Sequence, residues 1–492
     1  MPTEEHSAPS RMLVKGTVVL TTGRVAGYVL SFLRNMILAR MLAKADYGLA
    51  VVFGMAMTLV ELSGNMLFGL QLVQSKEGEN PLFQASAQAL QFSGGICSGV
   101  LLAVISVPMA RLFKVPQAWW AFALLAVVPI CQGLSHLDPA RRQRNLDYLP
   151  VVLVDVVPQF LITAAAFPLA SWLGDYRVII WLMICKAALG SAMSFVLARR
   201  PYRWAWESAY VRSMLSFGWP LLLTGFVMFG CQQADQVLVG AVFSLNVLAN
   251  YALAYFLVSI PWFIFGQVGG SLMLPLLSRA QDDPDWFRRQ YRVCAQASTV
   301  AGVVIILPLI VAGEQLVTLL FGVKYRGTGM FVAVLGAAFA LRFLRVASAT
   351  SAMAKADTVN QLYSYIWRAA SLPLALGVVL AHGTPLQIAA CAVLGEVLAA
   401  IVSLVRLWRR QRVPLRESFA PSAYLLTLVT LGVGFSFLGG ANLSIWPAII
   451  IAVVMFSIAV CTAWFMFPEV GRSFLAAIRR NTLLRTVQPA RS

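Results

Sequence analysis

Long apolar stretches separated by short polar connections run along almost the whole chain. About twenty mostly apolar residues cross the hydrocarbon core of a membrane, because an α-helix rises 1.5 Å per residue across about 30 Å. Fourteen stretches reach this length, so the pattern predicts an all-α polytopic membrane protein. The predicted spans cover residues 17–38, 46–66, 83–108, 117–135, 151–172, 177–198, 213–240, 246–276, 293–313, 329–353, 361–381, 386–408, 421–440 and 446–467.

The composition supports a membrane location. Of 492 residues, 59% are hydrophobic and only 12% are charged, whereas soluble domains are about 25% charged. No connection between predicted spans is long enough to fold into a catalytic domain. Any function is therefore performed by the helical bundle itself, and the chain is not expected to be an enzyme.

Lysine and arginine are distributed unequally over the connections. An even number of spans places both termini on one side of the membrane, and that side receives 25 of the 38 cations, against 7 on the other side and 6 within spans. Because cytoplasmic loops carry the excess of Lys and Arg, both termini are predicted to be cytoplasmic. Most of the formal net charge of +18 is thus explained by cytoplasmic cations that orient the chain and interact with anionic lipid headgroups. No nucleic-acid partner is expected.

The sequence contains no pattern typical of a cofactor or metal site. Seven cysteines and three histidines are widely separated, without a C-x-x-C pair or a His cluster, so a disulfide framework and zinc ligands are not expected. The nearest Gly-rich stretches, 322–329 and 432–440, lack the Lys-Ser/Thr that holds nucleotide phosphates. The sequence therefore predicts no ATP site and no cofactor.

Two stretches about two hundred residues apart resemble each other. Residues 34–40 and 47–50 read Arg-Asn-Met-Ile-Leu-Ala-Arg and Tyr-Gly-Leu-Ala; residues 235–241 and 251–254 read Asp-Gln-Val-Leu-Val-Gly-Ala and Tyr-Ala-Leu-Ala. Each joins the end of one span to the start of the next. If the first and seventh spans correspond, the repeat has six helices, and the two halves are related by a pseudo-two-fold axis along the membrane normal, a common transporter plan.

This repeat predicts the domain organisation. A cytoplasmic N-terminal segment precedes an N-terminal six-helix bundle and a C-terminal six-helix bundle, and two extra transmembrane helices with a cytoplasmic tail follow. The predicted boundaries are residues 1–16, 17–205, 206–412 and 413–492.

Apart from charges in the first or last three residues of a span, which are counted with the connections, ten charged residues fall inside the predicted spans. An arginine at the centre of a membrane helix costs about 2.5–3.5 kcal/mol on insertion scales, so each charge needs a partner or a watery cavity. Cations outnumber acids by two, which leaves a positive surplus. The cations are Arg24, Arg34, Lys186, Arg342, Arg345 and Arg368, and the acids are Glu61, Asp155, Asp235 and Glu396.

The deeper cations form the candidate site. Arg24 lies about 10 Å into its span, whereas Arg34 is about 15 Å further and can reach the outer interface. Arg342 and Arg345 are three residues apart and share one helix face. These positions predict an inward-facing basic cavity for an anion such as phosphate or pyrophosphate, to which arginine offers paired donors. The predicted anion-binding residues are Arg24, Lys186, Arg342, Arg345 and Arg368.

An alternative hypothesis assigns each cation to a neighbouring acid that merely locks helices together. Arg24 with Glu61 and Arg345 with Glu396 are examples of such pairs. Asp235, near the outer end of its span, is a candidate ion-coupling carboxylate, although a structural acid is the simpler interpretation.

Asp155 lies near the cytoplasmic end of its span, and the sequence predicts that it is interfacial. Glu61 and Glu396 remain candidates for ion coupling or for pairing.

Several motifs resemble those of Wzx-like polysaccharide flippases, the polysaccharide-transporter branch of the multidrug/oligosaccharidyl-lipid/polysaccharide (MOP) superfamily. They occupy residues 15–24, 38–49, 69–74 and 319–325. The motif-level match is concentrated in the first 75 residues, while the helix number and the two-bundle plan extend it over most of the chain. The chain departs from the family pattern at residues 43–48 and 65–69, and the resemblance does not identify the glycan.

The resemblance implies a V-shaped bundle with a cationic central cavity. Such a protein would flip an undecaprenyl-pyrophosphate-linked oligosaccharide across the bacterial cytoplasmic membrane by alternating access, for exopolysaccharide, capsule or O-antigen assembly. The implied partners are the lipid-linked oligosaccharide, membrane lipids and the polysaccharide polymerase and export machinery. Of the family's functional residues, only Arg24 carries over.

Three alternatives remain at this stage. A cation-coupled multidrug or small-solute antiporter of the same superfamily would favour buried acids and twelve helices. A flippase of the peptidoglycan lipid precursor is close in chemistry. A membrane glycosyltransferase or polymerase would need acidic or histidine residues on a sizeable outer loop, which the sequence lacks.

Overall fold

The computed structural model describes residues 7–61, 66–357, 359–440 and 443–469. These residues form nineteen α-helices, joined by turns and four short 3-10 segments, without a strand in the described ranges. The helices are α1 (Ser7–Met41), α2 (Lys44–Glu61), α3 (Met66–Gln74), α4 (Pro81–Leu112), α5 (Trp119–Leu124), α6 (Val127–Gly133), α7 (Asp138–Arg142), α8 (Leu149–Leu173), α9 (Arg177–Val196), α10 (Ser208–Val242), α11 (Leu245–Ser278), α12 (Pro284–Val311), α13 (Gly313–Phe321), α14 (Gly329–Ala354), α15 (Val359–Ala369), α16 (Ser371–Leu380), α17 (Pro385–Gln411), α18 (Arg416–Phe437) and α19 (Ile445–Met466).

The all-α prediction is confirmed, whereas the count of fourteen spans is not. Within the described ranges, eleven helices are long and apolar enough to cross a membrane. A twelfth span results if Pro116–Gly133 and Asp138–Asn145, which meet at a 47° bend, form one crossing. Helices α1 and α2 coincide with the first two predicted spans but are not among these eleven.

Some sequence predictions lie outside the described residues. They are the N-terminal segment up to residue 6, the end of the second predicted span at 62–65, and the cytoplasmic tail from residue 470.

The helices cluster into two compact units, Met1–Ala252 and Leu253–Ser492. In the first unit, α1 packs against α8, α8 against α9, and α4 against α5, α6 and α10. Its core includes the edge-to-face pair Phe53 and Phe122, whose ring centroids are 4.8 Å apart. The second half of the predicted repeat begins at residue 206 and therefore includes α10. In the structure α10 clusters with the first unit. The predicted boundary stays a prediction.

In the second unit, α12 packs against α14 and α18, and α17 packs against α14, α15 and α16. Its core includes the buried residues Phe287, Tyr291 and Leu407. The Tyr291 hydroxyl lies 2.5 Å from the Ser418 hydroxyl, so a polar contact fixes α18 on α12. The two helices that follow the predicted repeat, α18 and α19, therefore pack within this unit.

The two resembling stretches form similar helix junctions. The Tyr47 hydroxyl at the start of α2 donates to Asn35 Oδ1 of α1 at 3.2 Å. The Tyr251 hydroxyl near the start of α11 donates to Asp235 Oδ2 of α10 at 2.7 Å. In both cases a tyrosine of the second helix hydrogen-bonds to a side chain of the first; the repeat itself stays a prediction.

Candidate functional site

A buried ionic cluster lies in the second unit, where three arginines surround Glu396. Arg342 Nε donates to Glu396 Oε1 at 2.6 Å, and Arg368 Nε lies 2.7 Å from the same oxygen. Arg345 Nη2 lies 3.3 Å from Glu396 Oε2; this is a charge contact, since Oε2 has no hydrogen-bond partner among the described residues. We call these four residues the Glu396 cluster.

The cluster is deeply buried and close to mid-membrane. The side chains of Arg342, Arg345 and Arg368 are 5%, 10% and 8% exposed, and that of Glu396 is 1% exposed. Glu396 lies eleven residues beyond Pro385, the first residue of α17, which corresponds to about 16 Å of helix. The charges therefore lie near the middle of the span and are buried by protein.

Local sequence features bring these side chains together. Arg342 and Arg345 share a face of α14, as their spacing predicts. Pro373 lacks an N–H and its ring clashes with the carbonyl four residues earlier, that of Ala369. The span accordingly breaks between α15, which ends at Ala369, and α16. The Arg368 carbonyl accepts a hydrogen bond from Ser371 Oγ at 2.8 Å.

Gly395 allows α17 to approach this break closely. A Cβ atom at Gly395 would lie 2.8 Å from the Arg368 carbonyl oxygen and 2.8 Å from Ser371 Cβ. Any larger residue would push α17 away from α15 and α16. Since Glu396 is the next residue, the glycine also sets how far its carboxylate reaches toward the arginines.

Aromatic rings complete the surroundings of the cluster. The Arg342 guanidinium lies 4.0 Å from the Phe339 ring centroid and 5.5 Å from that of Trp262. The Arg345 guanidinium lies 5.5 Å from the Tyr365 ring centroid. Ring faces attract cations, so these rings partly offset the cost of burying the arginines.

The charges of the cluster do not balance. Three guanidinium groups surround one carboxylate, which leaves an excess of two positive charges in a buried region of the second unit. Breaking a buried ion pair by removing one partner typically costs 3–5 kcal/mol, so Glu396 is needed to keep three arginines there. The cluster both locks α14, α15 and α17 together and retains positive charge.

A seam of hydrogen-bonded polar groups continues from the cluster along α14, α15 and α17. Ser348 Oγ lies 2.7 Å from Ser403 Oγ, which donates to Asn360 Oδ1 at 2.9 Å. The Asn360 amide donates back to the Ser403 carbonyl at 3.1 Å. Close to the end of α14, Arg406 Nη2 lies 3.5 Å from Asp357 Oδ1.

The first unit carries a second group of predicted site residues, and this group is accessible. Lys186 Nζ lies 3.8 Å from Asp155 Oδ1, and the two side chains are 44% and 66% exposed. Arg24 is exposed on α1. Tyr28, one turn further along α1, interacts electrostatically with both Arg24 and Asp155.

The remaining predicted residues make structural contacts. Glu61 Oε1 accepts a hydrogen bond from Gln132 Nε2 at 2.8 Å. Asp235 accepts from the Tyr251 hydroxyl at 2.7 Å and from the backbone N–H of Gln236 at 2.8 Å. These bonds give both carboxylates partners within the first unit.

Arg34, outside the predicted site, donates to Gln159 Oε1 at 3.2 Å. The structure thus places the predicted site residues in two groups, one buried in the second unit and one exposed in the first.

Sequence reasoning missed several members of these groups. Asp155 was predicted to be interfacial and was not assigned a partner; it lies 3.8 Å from Lys186 Nζ. Pro373 and Gly395 were not noticed, although a proline near the middle of a predicted span and a glycine beside an intramembrane acid are readable signals.

Comparisons with known proteins place the chain in a family and a fold. A family model described as a polysaccharide biosynthesis protein matches residues 37–328. No curated protein sequence matches the chain.

Two solved structures share the fold. The lipid II flippase MurJ in an inward closed conformation is 14% identical, with a TM-score of 0.69 over 92% of this chain and 99% of its own. An inward-facing MATE family multidrug resistance transporter of the MOP superfamily is 12% identical, with a TM-score of 0.62 over 79% of this chain and 94% of its own. At these identities the similarity shows the fold alone, and it confirms the predicted fold of this superfamily.

Proposed function

Because the chain belongs to the polysaccharide biosynthesis protein family, we propose that it is a flippase for polyprenyl-pyrophosphate-linked oligosaccharides. It is a multi-pass membrane protein with a MOP-type transporter fold, and family and fold point to a transporter rather than an enzyme. The proposed substrate carries an undecaprenyl chain, and the proposed reaction is its transfer to the outer leaflet of the bacterial cytoplasmic membrane by alternating access. Both termini are then cytoplasmic, as the distribution of Lys and Arg favours.

The surplus of cations within the spans is the observation that carries this proposal. A pyrophosphate-linked lipid must move a multiply charged headgroup through a low-dielectric region, and fixed positive charge lowers that barrier. The Glu396 cluster retains an excess of two positive charges. Arg24 and Lys186 present exposed cations.

We assign the two groups different roles in binding. Arg24 and Lys186 are accessible and contact the phosphate groups directly, since a guanidinium or ammonium donates charge-assisted hydrogen bonds to phosphate. Arg342, Arg345 and Arg368 are buried against Glu396, so in this conformation they act on the headgroup through their charge. All five predicted anion-binding residues thus contribute.

The proposed partners follow from the reaction. The flipped oligosaccharide serves a polysaccharide polymerase and export machinery on the outer side of the membrane, and anionic lipid headgroups meet the cytoplasmic cations. A genetic experiment tests the proposal. A strain that lacks this chain should retain lipid-linked oligosaccharide on the inner leaflet and lose surface polysaccharide, and both defects should be repaired by the wild-type chain.

A peptidoglycan lipid-precursor flippase is the second candidate, because the fold resembles that of a lipid II flippase. It predicts that the chain restores growth to cells depleted of their own lipid II flippase. If the chain restores growth but not surface polysaccharide, the second candidate replaces the first. A cation-coupled antiporter would instead change resistance to cationic drugs, with the surface polysaccharide unaffected.

A further inference from the structure

The exposed charged group of the first unit contains a carboxylate at its centre, and a stripe of small residues puts it there. A Cβ atom at Gly23 of α1 would lie 2.5 Å from Val152 Cγ1 of α8. At Gly27, one turn further, a Cβ atom would lie 3.8 Å from Asp155 Oδ2. Small residues four apart allow membrane helices to approach closely, and this approach brings Asp155 against α1 at Gly27, within one turn of Arg24.

The contacts of Asp155 are loose. Its Oδ1 lies 3.8 Å from Lys186 Nζ, beyond the 2.7–3.2 Å range of a hydrogen bond. Tyr28 of α1 interacts electrostatically with both Asp155 and Arg24. The side chain is 66% exposed, so the carboxylate is held by electrostatic attraction to nearby cations and not by a short hydrogen bond to Lys186.

The neighbours of Asp155 at this surface are charged. Arg24, Asp155 and Lys186 all lie within spans predicted from the sequence, 17–38, 151–172 and 177–198, and all three side chains are exposed or half-exposed on the surface of the unit. Charges in this position face bundle interiors or water-filled cavities, because hydrocarbon penalises them. The surface formed by α1, α8 and α9 at these residues therefore borders water.

The second intramembrane carboxylate with cationic partners behaves differently. Glu396 is 1% exposed and lies 2.6 and 2.7 Å from two arginines, so an incoming anion could replace it only by dismantling a buried network. Asp155 has no such constraint, since its contact with Lys186 is long and its side chain is 66% exposed. Of these two acids, only Asp155 can be exchanged for another anion at low cost.

We infer that Asp155 is a resident counter-anion of the substrate site: it neutralises Arg24 and Lys186 when the site is empty, and the substrate's phosphate groups displace it. This inference rests on the proposed function and adds an anion-exchange step to it. The carboxylate competes with the headgroup, which weakens binding and speeds release on the far side. Asp155 thus sets the balance between capture and release.

Binding of inorganic pyrophosphate to the purified full-length chain tests the inference. Asp155→Asn removes the competing charge and should bind pyrophosphate about tenfold more tightly in calorimetry at low ionic strength, equivalent to about 1.4 kcal/mol. Asp155→Glu keeps the charge and should bind like wild type. Asp175→Asn is the matched control, because Asp175 pairs with Arg177 in the connection between α8 and α9 at 3.3 Å and faces no predicted site residue.

A transport measurement gives the second readout. In proteoliposomes, Asp155→Asn should lower both KM and kcat for flipping, since tighter capture slows release, whereas a merely structural role would lower the unfolding temperature and leave KM unchanged. If wild type binds pyrophosphate and Asp155→Asn binds it no more tightly, the inference is wrong and the proposed function survives. If wild type binds no pyrophosphate, the anion site itself is wrong, and both proposals fall together.

Discussion

Arg342 and Glu396 are joined by a 2.6 Å hydrogen bond between the guanidinium Nε and carboxylate Oε1, and their side chains are 5% and 1% exposed. The same carboxylate oxygen also lies 2.7 Å from Arg368 Nε. One acid therefore links α14, α15 and α17 at mid-membrane, and it does so while surrounded by more positive charge than it can neutralise. Both the stability of the second unit and the positive potential of the Glu396 cluster therefore depend on Glu396.

Removal of the Glu396 charge should destabilise the second unit strongly. Glu396→Gln leaves three buried guanidinium groups without a counter-charge, a change that typically costs 3–5 kcal/mol. We expect a large fall in the unfolding temperature in detergent and in the amount of folded chain in the membrane. Asp155→Asn is the control, since loss of a half-exposed pair costs about 1 kcal/mol or less. Equal unfolding temperatures for the two variants would show that Glu396 does not hold the cluster.

Any side chain at Gly395 should be destabilising, because α17 lies very close to the break between α15 and α16 at this residue. Gly395→Ala places a Cβ atom 2.8 Å from the Arg368 carbonyl oxygen, a backbone atom that cannot move alone. The unfolding temperature should fall by several degrees. Gly377→Ala is the matched control on α16, because its Cβ atom would meet nothing within 4 Å and alanine favours a helix. If both variants unfold at the wild-type temperature, the described packing of α17 is incorrect.

Asp235 is expected to serve structure rather than ion coupling. Its carboxylate accepts hydrogen bonds from Tyr251 and from the Gln236 backbone, and an amide oxygen can accept both. Asp235→Asn should therefore keep wild-type transport and the wild-type response to proton, sodium and voltage gradients. Tyr251→Phe loses one hydrogen bond and should lower stability by about 1 kcal/mol. A transport rate that no longer responds to any gradient in Asp235→Asn would instead assign coupling to this residue.

The sequence predicted correctly those features that depend on a single helix. The all-α fold and the shared face of Arg342 and Arg345 follow from apolar length and helical spacing. The pairing of Arg345 with Glu396, one of two alternatives, is present. That Glu396 also binds Arg342 and Arg368 could not be read from the chain, because it depends on where three helices lie relative to one another.

The surroundings of Asp155 also could not be predicted from the sequence. Its position near the end of a predicted span suggested an interfacial residue, since depth along one helix was all the sequence offered. Its relation to Arg24 and Lys186 arises from the packing of α1, α8 and α9, which Gly23 and Gly27 permit. Small residues on one face of α1 indicate that another helix packs closely there. They do not indicate which helix it is.

The exposed cations of the first unit should be needed for transport and dispensable for folding. A hydrogen bond to a charged group is worth about 1.5–3 kcal/mol, so Arg24→Ala and Lys186→Ala should each lower the flipping rate at limiting substrate by about tenfold or more. Their membrane levels should stay normal, because both side chains are exposed or half-exposed. Arg177→Ala is the control, since this arginine is 56% exposed in an ion pair with Asp175. Full surface-polysaccharide export by the first two variants would remove them from the site.

Direct flipping by the purified chain tests the central claim. The chain is reconstituted in vesicles with a labelled polyprenyl-pyrophosphate-linked oligosaccharide, and its appearance on the opposite leaflet is followed with a membrane-impermeant enzyme. The account predicts protein-dependent flipping that depends on the pyrophosphate: the same lipid-linked sugar with a neutral linker should move much more slowly, and Arg24→Ala with Lys186→Ala should abolish the difference. Equal rates for the charged and the neutral lipid, or no flipping at all by folded wild-type chain, would contradict it.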